Sequence, residues 1–138
     1  IEKMIFNEGL QVADIPATWN KMMMDWFGIE VPDDSMGCLQ DIHWSFGAFG
    51  YFPTYTLGNL YSAQLLTAAR KELPNHDEQI RKGEFTPLLE WMRKNVHSRG
   101  SIVEPSALIK EATGNNPSPD DFVKYLQDKV EYLYELTP

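Results

Sequence analysis

Residues 52–74, "FPTYTLGNLYSAQLLTAARKELP", decide the fold. Pro53 stands where the first turn of a helix tolerates a missing N–H. Leu57, Leu60, Tyr61, Gln64 and Leu65 then recur at helical spacing along one face, and Pro74 closes the run. Working outward, the same punctuation repeats. Downstream, "HDEQIRKG" (76–83) reads as a short helix stopped by Gly83. "TPLLEWMRKNVHSRG" (86–100) has Thr86 as cap, Pro87 at the first position and Gly100 past the end. "EPSALIKEATG" (104–114) places Pro105 inside and Gly114 outside. "SPDDFVKYLQDKVEYLYEL" (118–136) opens on Ser118, Pro119 and Asp121, close to a capping box, and Phe122, Tyr125, Leu126, Lys129, Val130 and Leu133 keep the period. Upstream, "DIPATWNKMMMDWFG" (14–28) offers Asp14 as cap, Pro16 in the first turn and Gly28 as terminator, and "IEVPDDSMG" (29–37) is a connector. No alternating strand and no Asn-Gly hairpin interrupts the series. The expectation is an all-α chain, with residues 1–138 forming a single helical segment.

Composition narrows the function classes. A chain of 138 residues with a net charge of −8 lacks the surplus of Lys and Arg that non-specific nucleic-acid binding or an anionic membrane surface rewards. Its single cysteine, Cys38, rules out an internal disulfide and a structural zinc site built on cysteines. No apolar run reaches membrane-spanning length. These features fit a cytoplasmic protein. "IEKMIFNEGL" (1–10) already reads as helix from Ile1, which is not a methionine, so a piece of a longer chain is expected.

One stretch breaks the helical rhythm: "GCLQDIHWSFGAFGYFPTYTLGN", residues 37–59. Of the histidines, His76 sits beside a turn and is expected to be solvated, and His97 falls in the last turn of a helix, where its imidazole suits the dipole. His43, flanked by Asp41 and Trp44, has two readings: a core histidine bonded to a backbone carbonyl, or a functional imidazole. A helical zinc site needs two histidines four apart with a glutamate between them, and no such pair exists here. Cys38 lies five residues from His43, but a buried apolar thiol accounts for it. Tyr51 and Tyr55 are four apart and share a face if the helix has begun. Phenol and imidazole together can stabilise an oxyanion, and a plain aromatic cluster is the alternative. Glycines 47, 50 and 58 would let backbone approach a bound chain closely.

"GCLQDIHW" matches G-x-x-Q-D-x-H-W, and the chain here resembles the thermostable zinc carboxypeptidases of the Taq type. The likeness continues through "SFGAFGYFPTYTLGNLYSAQL", "DIPATWN", "GEFTPLLEWMRKNVHSRG" and "ATGNNPSPDDFVKYLQDKVEYLY". The resemblance implies a mostly helical metallopeptidase that removes single residues from peptide C-termini, cytosolic and homodimeric. It implies that zinc is held upstream, by an H-E-x-x-H helix and a following glutamate, and that an arginine motif for the substrate carboxylate also lies upstream. This chain would then be the C-terminal part, binding no metal itself and needing the missing N-terminal catalytic part as its partner. By the same resemblance His43 and Tyr55 are the expected catalytic donors, with Tyr51 the alternative to Tyr55. Gln40 and Asp41 would orient His43 or hold substrate backbone, and Trp44 would pack. The competing expectation is a non-catalytic helical module that binds peptides or another protein.

Overall fold

The structure, a computed structural model, describes residues 1–136; the last two residues of the expected segment, 137 and 138, lie outside it. Every regular element among the described residues is helical. Seven α-helices run as α1 (Glu2–Asn7), α2 (Ile15–Phe27), α3 (Pro53–Glu72), α4 (His76–Arg81), α5 (Thr86–Asn95), α6 (Pro105–Thr113) and α7 (Asp120–Tyr134). Short 3-10 turns cover Val12–Asp14, Cys38–Gln40, Ile42–Phe46 and His97–Arg99. The all-α expectation holds. Two compact units divide the chain within α3, one of residues Ile1–Tyr55 and one from Thr56 onward.

In the first unit, α2 ends as its sequence demands. Gly28 takes the left-handed conformation, with φ at 66°, and its N–H returns to the Met24 carbonyl at 2.9 Å, satisfying an orphan acceptor of the last turn. The N-terminal expectation needs correction: the Asp14 side chain makes no capping bond. Asp14 already has helical dihedrals, so its carboxylate is not aimed at the first N–H groups. The Thr18 hydroxyl instead donates to the Asp14 carbonyl at 2.8 Å.

In the second unit the core is small. Ala68 and Ala69 of α3 and Trp91 of α5 are buried together, ringed by Leu65, Leu73, Leu88 and Met92. Two alanines side by side leave room for one indole, so small residues face a large one. Gln64 is buried at 2 % exposure, yet it belongs on this apolar face because both ends of its amide are used. Nε2 donates to the Asn116 carbonyl at 2.9 Å, and Oε1 accepts the Ser118 N–H at 3.1 Å. The capping box expected at Ser118 is corrected: Pro119 holds the cap position of α7 and its side chain makes no capping bond. The Ser118 hydroxyl accepts the Asp120 N–H at 3.1 Å, but the reciprocal bond to the Ser118 N–H comes from Gln64 rather than Asp121.

Three local expectations are corrected here. His76 is buried at 6 % exposure rather than solvated, because the turn closed by its N–H to the Leu73 carbonyl at 2.9 Å carries the imidazole inward. Thr86 is the first helical residue rather than the cap, which is Phe85. His97 lies beyond α5 in a separate turn, since Val96 leaves helical geometry at φ −123° and ψ −61°.

Candidate active-site wall

The irregular stretch opens on Gly37 for a packing reason. A Cβ there would lie 2.8 Å from Val31 Cγ1 and 3.1 Å from the Asp33 carbonyl oxygen. The turn pressing against it is held by Asp33, whose Oδ1 accepts the Ser35 hydroxyl at 2.5 Å and the Met36 N–H at 3.0 Å. Those donors, Ser35 first and then Met36, hold the Asp33 carboxyl below the usual carboxylate range. Cys38 follows, buried and free. Gln40 is exposed, and its amide donates to the Ser35 carbonyl at 2.5 Å.

Asp41 and His43 form the centre. The Asp41 side chain is 5 % exposed and that of His43 is 14 % exposed. Asp41 Oδ1 accepts the His43 backbone N–H at 3.0 Å and faces His43 Nδ1 at 2.9 Å. An ionised carboxylate only accepts, so Nδ1 must carry the hydrogen, and Nε2 is left for the opposite side of the ring. The partner of His43 is thus a carboxylate, not the backbone carbonyl of the core-histidine reading.

Aromatic rings surround this imidazole. Phe52 lies closest, with ring centroids 4.9 Å apart, followed by Tyr51 at 5.6 Å and Tyr55 at 5.9 Å. The two tyrosines meet edge to face at 5.5 Å, although only Tyr55 is helical. Tyr51 sits in the turn before α3, which is closed by the Thr54 N–H to the Tyr51 carbonyl at 3.0 Å. The Tyr51 hydroxyl, and then burial, push the Tyr55 phenol above its ordinary pKa. The structure therefore brings Asp41, His43, Tyr51 and Tyr55 into one cluster, and Gln40 points its amide away to Ser35.

Conformation demands the glycines at 47 and 50. Gly47 has φ 75° and ends the turn carrying His43, and Gly50 has φ 74°. Gly58 lies inside α3.

Two members of the cluster carried no sequence signal. Phe52 is one. Glu2 is the other: its Oε1 accepts Trp44 Nε1–H at 2.9 Å and its Oε2 accepts the Gly50 N–H at 2.7 Å. Trp44 packs as expected, edge to face with Trp19 and stacked on Phe49. Among the described residues, no group of three or more His, Cys, Asp or Glu side chains could hold a metal ion. The residues present therefore do not fit a zinc site.

Known proteins resemble this chain along nearly its whole length. Carboxypeptidase 1 of Bacillus subtilis is 41 % identical over 136 residues, which are 99 % of this chain and 27 % of that protein. Thermostable carboxypeptidase 1 of Thermus thermophilus is 41 % identical over 134 residues, 97 % of this chain and 26 % of its own length. The crystal structure of an M32 carboxypeptidase from Deinococcus radiodurans matches with a TM-score of 0.90 at 35 % identity, covering 97 % of this chain and 27 % of that one. The chain thus spans about a quarter of the length of the relatives it matches. The family model described as carboxypeptidase Taq (M32) metallopeptidase matches residues 1–130, taking in α1, the irregular stretch and most of α7. With that match across nearly its whole length, the chain belongs to the carboxypeptidase Taq (M32) metallopeptidase family.

Proposed function

We propose that this chain is the part of a metallocarboxypeptidase that lines the substrate cleft and stabilises the oxyanion formed when a single residue is removed from a peptide C-terminus. The observation that carries the reading is the Asp41–His43 pair facing two phenols. Tetrahedral intermediates of acyl transfer need donors aimed at the developing charge. With Nδ1 committed to Asp41, neutral His43 presents Nε2 as an acceptor, and only the imidazolium donates from that atom. A phenol keeps its proton near neutral pH and donates without any shift, and the Tyr55 ring stands 5.9 Å from that of His43. Tyr55 is therefore the donor to test first, with Tyr51 packed edge to face against it and the His43 imidazole beside both. Asp41 acts through the imidazole it orients, while Gln40, its amide turned to the Ser35 carbonyl, braces the turn that leads into the site.

The zinc implied by the family would supply Lewis-acid chemistry from residues outside this chain. Exposed Trp26, Phe27, Met36 and Leu39 support the same reading, since large apolar side chains left in solvent suit an interaction face. Cytoplasmic location and homodimerisation belong to this proposal too, and fractionation and sedimentation test them.

The direct experiment is Tyr55→Phe in the full-length zinc-loaded protein. Loss of one oxyanion donor lowers kcat by about a hundredfold or more with little change in KM. An unchanged kcat removes Tyr55 from the role. If Tyr51→Phe and His43→Ala are also silent, the cluster is a packing feature and the binding-module reading replaces this one.

A further inference from the structure

We propose that Glu2 is a positioning residue for the site, a single carboxylate that sets the spacing between His43 and Tyr51. This inference rests on the oxyanion reading above. Its two oxygens each take one donor, Trp44 Nε1–H at 2.9 Å and the Gly50 N–H at 2.7 Å. Trp44 is the residue after His43, and Gly50 is the residue before Tyr51. The carboxylate therefore closes the loop 44–50 from outside, across sequence separations of 42 and 48 residues. The 3-10 turn carrying His43 ends at Gly47, with the Gly47 N–H on the Trp44 carbonyl at 3.1 Å and the Ala48 N–H on the His43 carbonyl at 2.9 Å, and Phe49 and Gly50 follow outside any helix. The loop has left-handed glycines at both 47 and 50, so its backbone has unusual freedom. Phe49 between them is clasped by Phe6 of α1 at 5.0 Å, edge to face, and this contact presses the loop onto the same helix that carries Glu2.

The residue type follows from the donors. Both partners are N–H groups, so both oxygens must accept, and charge strengthens each bond. Glutamine could satisfy only one of them and would turn its own NH2 toward the other. Alanine would free both ends of the loop. A shift of about 1 Å in a donor costs on the order of a hundredfold in rate, so the anchor acts on catalysis without touching substrate.

The test uses the full-length protein with Glu2→Gln, and Trp44→Phe as a second variant that removes only one donor. Glu2→Gln is expected to lower kcat by about tenfold to a hundredfold, with KM within about twofold of the parent. Trp44→Phe should show a smaller loss of the same kind. Tyrosinate titration supplies a readout that simple destabilisation would not move. With Tyr51 displaced, the Tyr55 phenol should titrate closer to its ordinary value while the far-ultraviolet circular dichroism stays parental. Parental kcat and parental titration in Glu2→Gln, with His43→Ala still inactive, would overturn the anchor and leave the oxyanion reading standing. Parental kcat in His43→Ala, Tyr51→Phe and Tyr55→Phe would instead sink the oxyanion reading and this inference with it.

Discussion

Gln64 offers the sharpest test of how the second unit is held. Its amide makes two bonds to one loop, to the Asn116 carbonyl and the Ser118 N–H, from a site only 2 % exposed. Gln64→Met keeps the volume nearly constant, so it isolates the polar contribution. The Ser118 N–H is half-buried and would lose its acceptor, costing about 1–3 kcal/mol. Asn116 is exposed, so its carbonyl can turn to water at a smaller cost, roughly 0.5 kcal/mol. A more apolar side chain in the site returns about 1 kcal/mol. The net expectation is a loss of roughly 0.5–2.5 kcal/mol by urea unfolding, with faster amide exchange at Ser118 and in the first turn of α7. Gln64→Glu supplies an internal check. It keeps an acceptor for the Ser118 N–H but sets a carboxylate oxygen against the Asn116 carbonyl. Protonation restores a donor, so this variant should gain stability relative to the parent as pH falls through the glutamate range. Parental or higher stability in Gln64→Met would refute the account, since the two bonds would then contribute nothing net.

Gly37→Ala should cost about 1–3 kcal/mol, because a Cβ 3.1 Å from the Asp33 carbonyl oxygen must push backbone rather than the end of a side chain. A melting temperature equal to the parent's would show that the turn yields freely. The difference between the tyrosinate titrations of parent and Tyr55→Phe should place Tyr55 above the ordinary phenol value, and Tyr51→Phe should bring it down. The folded state then holds this proton longer than the unfolded chain does, so stability falls as pH rises from the ordinary phenol pKa through the raised one. Coincident titrations in parent and Tyr51→Phe would contradict the effect of Tyr51 on the Tyr55 phenol.

What was legible in the sequence was local. Gly28, Gly83 and Gly114 end helices because a left-handed residue closes the last turn, and prolines 16, 53 and 105 begin them because a first turn needs no N–H there. Such signals act within a few residues and can be read without a fold. The motif around Gln40, Asp41, His43 and Trp44 was legible as a pattern, but its geometry was not. That Asp41 takes Nδ1 depends on a 3-10 turn which bends the chain back by two residues. His76 is expected in solvent from its place beside a turn, and nothing in local spacing shows that this turn carries the ring inward. Glu2 and Gln64 were invisible in the roles they play, since their partners lie about fifty residues away and nothing in local spacing couples them.

The same division explains why the candidate site and the fold should respond differently to mutation. His43 lies in a 3-10 turn and Tyr51 in a β-turn, not in an α-helix. Their placement depends on side chains that bond to backbone or to neighbouring rings: Asp33 on the turn behind Gly37, Asp41 on His43, and Glu2 on Trp44 and Gly50. A helix averages the loss of one hydrogen bond over a cooperative ladder, but a loop held by three carboxylates does not. Each carboxylate contributes little to global stability, because the core lies elsewhere, around Trp91 and the alanines of α3. Each nonetheless determines where a ring stands, and oxyanion stabilisation is steep in distance. Substitutions at Glu2 and Asp41 should accordingly depress turnover far more than they lower the melting temperature, and substitutions at Trp91 or Gln64 should do the reverse.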